Sequence, residues 1–343
     1  MHATILRTRD EVQALAPQWD ELPPLSPFSS GDFACDWLSC TPEASPFVIA
    51  VHDGGTLMGV APWCLARDFA GSTLLTGIGR ESAWYHDPLV RNGAVASEVH
   101  RAIGQALRPP HWDAIDLILQ ADASIPLVRV LERLGVAVSR RPADRQSHLI
   151  ALDADWTTSW ERFPDSFRKS LKRRRRRLES LPHQFLMVEG DQALECLEEL
   201  IRLNRLRWQT GQTWEPAYAV MRANTRTLLA RGELRFFVLM IEGRIAALDY
   251  QVRKGNRSSM IMGNYHPDFA DLSPGNALLV WALEQLNREG IQWVDMGPGN
   301  YAWKNQIRSE QVEIVRTQVG LSLRGMALVS WRGMIKPQLQ PVT

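Results

Sequence analysis

The chain has almost no surplus of charge. Lysine and arginine together number 39 and aspartate and glutamate 38 over 343 residues. Net charge therefore points to neither nucleic acid nor a membrane surface, and any electrostatic signal must come from local clustering. Cysteine is scarce: Cys35, Cys40, Cys64 and Cys196 show neither CxxC nor metal-ligand spacing. The expectation is reduced core thiols in a cytoplasmic setting and no bound metal. No apolar run approaches the roughly 18 residues that a membrane helix needs. Met1 to Arg7 contains no apolar signal-peptide core.

What is present is the composition of a globular protein, 45% hydrophobic and 22% charged. The length suits two domains of ordinary size. The 13 tryptophans fit either large cores or an aromatic-lined groove. In the first half, helical spacing covers Asp10 to Leu22, Asp32 to Cys40, Val95 to Leu107 and Ile125 to Leu134. Asp53-Gly54-Gly55 between apolar runs signals a hairpin. Further strands are expected at Ser72 to Ile78, Tyr85 to Val90, Trp112 to Leu119 and Val136 to Ser139.

Arg140 to Gln146 is polar and broken by Pro142, which sets a domain boundary near residue 150, with domains 1–150 and 151–343. After a short strand at His148 to Leu152, helix is expected from Trp156 to Leu178, interrupted at Pro164. Two more helices, Ala193 to Trp208 and Pro216 to Arg231, flank a strand at Gln184 to Val188. A second hairpin turns at Glu242-Gly243-Arg244, and Val312 to Leu323 reads as a strand closing the second half.

The halves carry matching marks. Tyr85-His86-Asp87-Pro88 answers Tyr265-His266-Pro267-Asp268 at an offset of 265 − 85 = 180 residues. Asp116 answers Asp295 at 295 − 116 = 179. Order-preserving similarity at so long a period argues for two copies of one mixed α/β domain.

The most informative stretch is Met262 to Lys304. A strand ends at Tyr265, and Ser273-Pro274-Gly275-Asn276 opens a helix with serine at the N-cap and proline at the first helical position. The helix runs to about Arg288 with Gly290 as its C-terminal cap. A strand from Gln292 to Met296 then ends in Gly297-Pro298-Gly299. Such a unit is either a cradle for an anionic or thioester ligand at the helix N-terminus or an ordinary capped crossover.

Arg168 to Arg177 is the loudest run in the chain. Phe167, Leu171 and Leu178 form its apolar stripe, and Arg174 falls on that same stripe. The other basic side chains read as a solvated face, but Arg174 needs an anion within the domain. Phosphates of coenzyme A or of a pantetheine arm, the acidic surface of an acyl carrier protein, and a tRNA backbone all fit. No recognition motif supports DNA.

This order of elements resembles the GNAT acyltransferase superfamily. It covers a hairpin, a strand ending in Tyr265, the L-S-P-G helix start, a strand ending in D-M-G-P-G, and Y-A-W-K. More narrowly it is similar to the CelD-like acetyltransferases of polysaccharide biosynthesis, which are related to Fem-type aminoacyltransferases. The Q/R-x-x-G-x-G/A loop of commoner GNATs is replaced by Ser273-Pro274-Gly275.

The resemblance implies two tandem GNAT-like domains of mixed α/β class, the second carrying the donor site. It also implies an acyl- or acetyl-CoA thioester as co-substrate. The amine of a sugar, amino acid or envelope precursor is the expected acceptor, entering between the domains. An aminoacyl-tRNA-dependent transferase and a non-catalytic ligand-binding module are the alternatives.

Amide formation from a thioester needs a base, an oxyanion donor and an acid for the leaving thiolate. The resemblance puts the oxyanion donor near Gly263, Asn264 and Tyr265. His266 is a candidate base because imidazole titrates near neutrality; the bland alternative is a loop histidine. Asp249 is an acid amid apolar neighbours, in a cleft or on an outer strand edge. Asp295 stands at a strand's C-terminal end, where open sheets place ligands, or it caps the glycine turn.

By resemblance, Tyr301 serves as acid and Lys304 meets a phosphate or carboxylate. Ser273, Pro274, Gly275, Asn276 and Arg174 would hold the donor, and Tyr85, His86 and Asp87 would shape the acceptor pocket. No cysteine or Ser–His pair marks a covalent intermediate, so direct transfer is expected. Leu321 to Lys336 fits either a final packed element or a segment at the inner membrane surface.

Overall fold

Both expected hairpins turn where the backbone enters the left-handed region. Gly54 and Gly55 have φ of 53° and 86°, and Glu242 and Gly243 have φ of 50° and 74°. The computed structural model describes residues 1–334 apart from 69–70, 109–111, 122–124, 135–136, 143–145, 208–213, 300, 302 and 308.

The first strands are β1 (His2–Leu6), β2 (Ser45–Pro46), β3 (Val48–Asp53), β4 (Thr56–Ala61) and β5 (Trp63–Arg67). β6 (Thr73–Gly77), β7 (Leu89–Val90), β8 (Ala114–Gln120) and β9 (Ala137–Pro142) follow. Next come β10 (Ser147–Ala151), β11 (His183–Val188), β12 (Leu234–Ile241) and β13 (Arg244–Lys254). The last are β14 (Arg257–Tyr265), β15 (Trp293–Pro298), β16 (Glu310–Val312) and β17 (Ile314–Gly320). The helices are α1 (Arg9–Trp19), α2 (Gly31–Cys40), α3 (Ala96–Ala106), α4 (Ile125–Glu132) and α5 (Trp156–Glu161). They continue with α6 (Asp165–Glu179), α7 (Gly190–Arg207), α8 (Glu215–Ala230), α9 (Pro274–Arg288) and α10 (Leu323–Met334).

Two compact units result. The first comprises Met1–Arg145 with Glu313–Thr343, and the second Gln146–Val312. The first holds a four-stranded sheet, β1-β3-β4-β7, and a six-stranded one, β2-β5-β6-β8-β17-β9. Val99 and Ile103 of α3 and Leu127 and Leu131 of α4 cover Phe47, Trp63, Leu75, Ile115 and Leu117.

The strand expected to close the second half lies instead in the first unit. β17 runs between β8 and β9, antiparallel to both. The cause is burial: nearly every residue of β17 is inside, as a central strand requires. α10 then packs Leu328 and Val329 on Leu74 and Ala114. Gly325 permits this approach, since a Cβ there would lie 1.8 Å from the Asp113 carbonyl oxygen. Of the strand expected over Tyr85 to Val90, only β7 forms.

The second unit is one seven-stranded sheet, β11-β12-β13-β14-β15-β10-β16. All its pairings are antiparallel except β14 with β15. Parallel neighbours need a crossover, and α9 supplies it. Leu278, Leu279, Ala282, Leu283 and Leu286 make its buried stripe. They pack on Phe237, Leu239, Ala247, Val294 and Met296 of the sheet, beside Phe167, Leu171 and Leu178 of α6. The opposite sheet face carries α7 and α8, with Leu200, Ile201, Tyr218 and Leu228 on Phe236, Leu248, Tyr250 and Val252.

The parallel ladder is short. Arg257, Ser258 and Ser259 pair with Trp293, Val294 and Asp295, and there it stops. β14 continues to Tyr265 on β13 alone, and β15 continues to Pro298 on β10 alone. The two strands part toward their C-terminal ends, the end at which α9 begins.

Leu283 is fully buried in that α9 seam, so Leu283→Ala should lower the unfolding free energy by about 2–5 kcal/mol in chemical denaturation. A loss below about 1 kcal/mol would mean that α9 is not held by this stripe.

Candidate active site

The first turn of α9 is built from Ser273, Pro274, Gly275 and Asn276. Ser273 sits at the N-cap position but has φ 48° and ψ 55°, and its side chain caps nothing. Its Oγ instead accepts a hydrogen bond from Arg174 Nη1. Arg174 therefore points inward from α6, as the stripe spacing requires. Pro274 has no N–H, and Ala277 N donates to the Ser273 carbonyl at 3.2 Å. The N–H groups of Gly275 and Asn276 have no side-chain cap. A guanidinium thus stands at the positive end of a 15-residue helix. Two positive features side by side repel each other unless an anion joins them.

Asp249 lies on the same sheet face. It shares that face with Phe237, its cross-strand partner, which belongs to the core under α9. The carboxyl is 2% exposed. Its Oδ2 accepts from Gln251 Nε2 at 2.7 Å, and Gln251 Oε1 in turn accepts from Ser258 Oγ at 2.8 Å. Oδ1 has no partner. Burial pushes the pKa from 3.8 up to about 7, against the opposing pull of the Gln251 bond.

Gly263 of β14 stands opposite Asp249. A Cβ on Gly263 would come 3.8 Å from Asp249 Oδ1 but 2.6 Å from Met260 Cε, so the Met260 methyl group fills the space that the missing side chain leaves. Two residues further along, about 7 Å, the Tyr265 ring lies beside Gly275, 3.6 Å from where a Cβ would be. Asp249, Gly263, Tyr265, Ser273 to Asn276 and Arg174 are therefore brought together on one face.

Asp295 belongs to another cluster. Its neighbours Val294 and Met296 face α9, so Asp295 faces the other side. Its Oδ1 accepts from Ser147 Oγ at 2.7 Å and from Gly297 N at 2.8 Å. Burial raises its pKa, and these two bonds lower it in part.

Lys304, only 2% exposed, donates to the Gly297 carbonyl at 2.7 Å and lies 5.3 Å from the Tyr301 ring centroid. Burial lowers its pKa to about 8, with the Asp295 charge acting in the opposite direction. Lys304 thus clamps the glycine turn from inside. Tyr301 is 38% exposed and forms the outer wall of this cluster.

The remaining residues stand apart. His266 Nδ1 accepts from Asp268 N at 3.3 Å, capping the 3₁₀ turn Pro267–Leu272. Asn264 is turned to the α7 face, where Asn204 Oδ1 accepts from it and Asn204 donates to the Tyr218 hydroxyl. Tyr85, His86 and Asp87 lie in the interior of the first unit. His86 Nδ1 accepts from Ile118 N and its Nε2 lies 3.0 Å from the Arg80 carbonyl oxygen. Asp87 accepts from Gln120 N, and burial raises its pKa to about 7. His86 also lines a small cavity with Arg80, Asp116, Ile118 and Arg316.

Sequence reading missed Ser147, Gln251 and Ser258. Ser147 is 148 residues from Asp295, beyond any local pattern. The alternation Asp249, Gln251 within an apolar strand was the visible signal for the other two. Among the described residues, no group of three His, Cys, Asp or Glu side chains is placed to hold a metal ion. Nor is any helix there long and apolar enough to cross a membrane.

Residues 165–305, from the start of α6 to just past Lys304, match the acetyltransferase (GNAT) domain family. No curated protein sequence matches the chain. Among solved structures, FemX is similar with TM-score 0.61 and 12% identity, over 96% of this chain and 99% of that one. L-PGS from Bacillus licheniformis gives TM-score 0.57 and 12% identity, over 95% and 96%. A protein of unknown function from Bacteroides thetaiotaomicron gives 0.57 and 12%, over 92% and 99%. At such identities the likeness speaks for the fold alone. The family match makes residues 165–305 an acetyltransferase (GNAT) domain, which marks the protein as an acyltransferase.

Proposed function

We propose that the chain moves an acyl group from a thioester donor, acyl-CoA or an acyl carrier protein, to an amine by direct attack. The observation that carries this reading is the parting of β14 from β15 with α9 and Arg174 at the open end. A donor's phosphates would meet the N–H groups of Gly275 and Asn276 and the Arg174 guanidinium. Its pantetheine arm would lie along the unpaired edge of β14. N–H groups of β14 between Met260 and Tyr265 would receive the negative charge of the thioester carbonyl oxygen.

In the transfer, the amine nitrogen bonds to the carbonyl carbon and the carbon–sulfur bond breaks. The proton leaving nitrogen goes to Asp249, whose free Oδ1 and near-neutral pKa suit a general base. The departing thiolate takes a proton from Tyr301. Asp295, Ser147 and Lys304 position the turn that carries Tyr301. His266 is better suited to capping its turn than to taking the proton.

Within this reading, the acceptor amine belongs to a sugar, an amino acid or an envelope precursor, as in the CelD-like branch. A second reading replaces the thioester by an aminoacyl ester on tRNA; the basic face of α6 is the observation that favours it.

Two measurements test this reading. Arg174→Ala should weaken acetyl-CoA binding in calorimetry roughly tenfold or more, by loss of a charge-assisted contact. An unchanged Kd would remove Arg174 and the α9 turn from the donor site. Asp249→Asn should slow acyl transfer to an amine roughly a hundredfold at unchanged donor affinity.

The same variant has a signature in stability. Between pH 3.8 and about 7 the folded protein keeps a proton that the unfolded chain has lost. Stability from this group is therefore present below about pH 4 and lost as pH rises toward 7. The difference in unfolding free energy between Asp249→Asn and the parent should move in favour of the variant across that window. Parallel pH curves would show that Asp249 ionises normally.

A further inference from the structure

The outer face of α6 is unused by the site just described, although Arg174 of the same helix belongs to it. Lys169, Lys172, Arg173, Arg176 and Arg177 follow an i, i+3, i+4, i+7, i+8 spacing, so they form one stripe about 12 Å long. All five are exposed. The stripe lies opposite Phe167, Leu171 and Leu178, which anchor the helix to the core. Among the described residues none of the five has an ion-pair partner.

Helix stability accounts for only part of it. Arg176 and Arg177 stand in the last turn, where the helix dipole favours cations. Lys169, Lys172 and Arg173 lie before it, and like charges at i, i+4 destabilise a helix by about a few tenths of a kcal/mol per pair. The acids of α6 stand only at its ends, where Asp165 pairs with Arg168 and Glu179 with Arg175.

We infer that this stripe docks an acidic helix of a small carrier protein, which delivers the acyl group as a thioester on its phosphopantetheine arm. The inference rests on the thioester reading above and names the donor for it. Three features favour a protein over a larger polyanion. The positive stripe is only about 12 Å long, the footprint of two helical turns. The Asp165–Arg168 and Arg175–Glu179 pairs neutralise its two ends, so the uncompensated charge is confined to this length. The whole chain has a net charge of +1, so no wider basic field supports a long polyanion.

Arg174 links the stripe to the donor site. It projects from the inner side of α6 to Ser273 at the start of α9. The arm of a docked carrier has to pass about one helix diameter, on the order of 10 Å, to bring its phosphodiester to Arg174. Its thiol end would then extend along β14.

The test compares the parent with a Lys172→Glu, Arg173→Glu, Arg176→Glu variant of the full chain. Both are titrated with acetyl-CoA, with a panel of acidic acyl carrier proteins in acetylated holo form, with mixed tRNA and with anionic phospholipid vesicles. The expected result is carrier binding by the parent that weakens with salt and falls at least about tenfold in the variant. Acetyl-CoA affinity should stay the same in both, which also confirms that the variant is folded. If acetyl-CoA binds and no carrier does, or the variant binds carrier as the parent does, the carrier inference is overturned and the thioester reading stands. If tRNA or vesicles alone are lost with the three charges, the stripe serves that polyanion and the inference is likewise overturned. If neither acetyl-CoA nor any carrier binds, both readings are overturned together.

Discussion

Everything proposed for this protein depends on how little of β14 and β15 is paired. Parallel strands hold one another by evenly spaced, slanted hydrogen bonds, and here only three residues of each take part. Beyond them each strand is held by an antiparallel neighbour on its far side, β13 for one and β10 for the other. The sheet can therefore stay intact while its middle opens. The crossover helix α9 is fixed by its leucine stripe, so its first turn lies at the open end. An opened ladder, uncapped helical N–H groups and a guanidinium aimed at them are three unmet demands, and one acyl donor with phosphates and an extended arm meets all three.

The second unit also keeps ionisable groups where burial opposes their charge. Asp249 and Asp295 are pushed up, and Lys304 is pushed down to about 8. The three are not equivalent. Asp295 accepts two hydrogen bonds and Lys304 has the Gly297 carbonyl, so these two hold a turn in shape. Asp249 Oδ1, among the described residues, is buried without a hydrogen-bond partner. A buried acid with an unmet acceptor costs stability. That cost has a function where a proton has to be received, and it separates Asp249 from acids that merely tie strands together.

The parts legible in the sequence are those set by local chemistry. Ser273-Pro274 and Gly290 bracket α9, which begins at Pro274 and ends at Arg288 as expected. Pro164 separates α5 from α6. Arg174 shares the inner side of α6 because helical spacing leaves it no other. What local chemistry could not set was partnership across long distances. β17 looks like a closing strand of the second half, yet it fills the position between β8 and β9. Tyr85-His86 and Tyr265-His266 match as letters, but Tyr265 ends a strand whereas Tyr85 lies in a segment between β6 and β7. The Asp295–Ser147 bond and the opposed facing of Asp249 and Asp295 follow from strand order, which no tetrapeptide encodes.

Amide hydrogen exchange with and without coenzyme A tests the central claim most directly. The claim is that the unpaired edge of β14 and the first turn of α9 form one donor site. Adding coenzyme A should slow exchange together at residues 260–265 and at Gly275 and Asn276, with β11 and β16 at the sheet margins unchanged. Protection at the α9 turn without β14, or protection elsewhere in the chain with both unchanged, would contradict it.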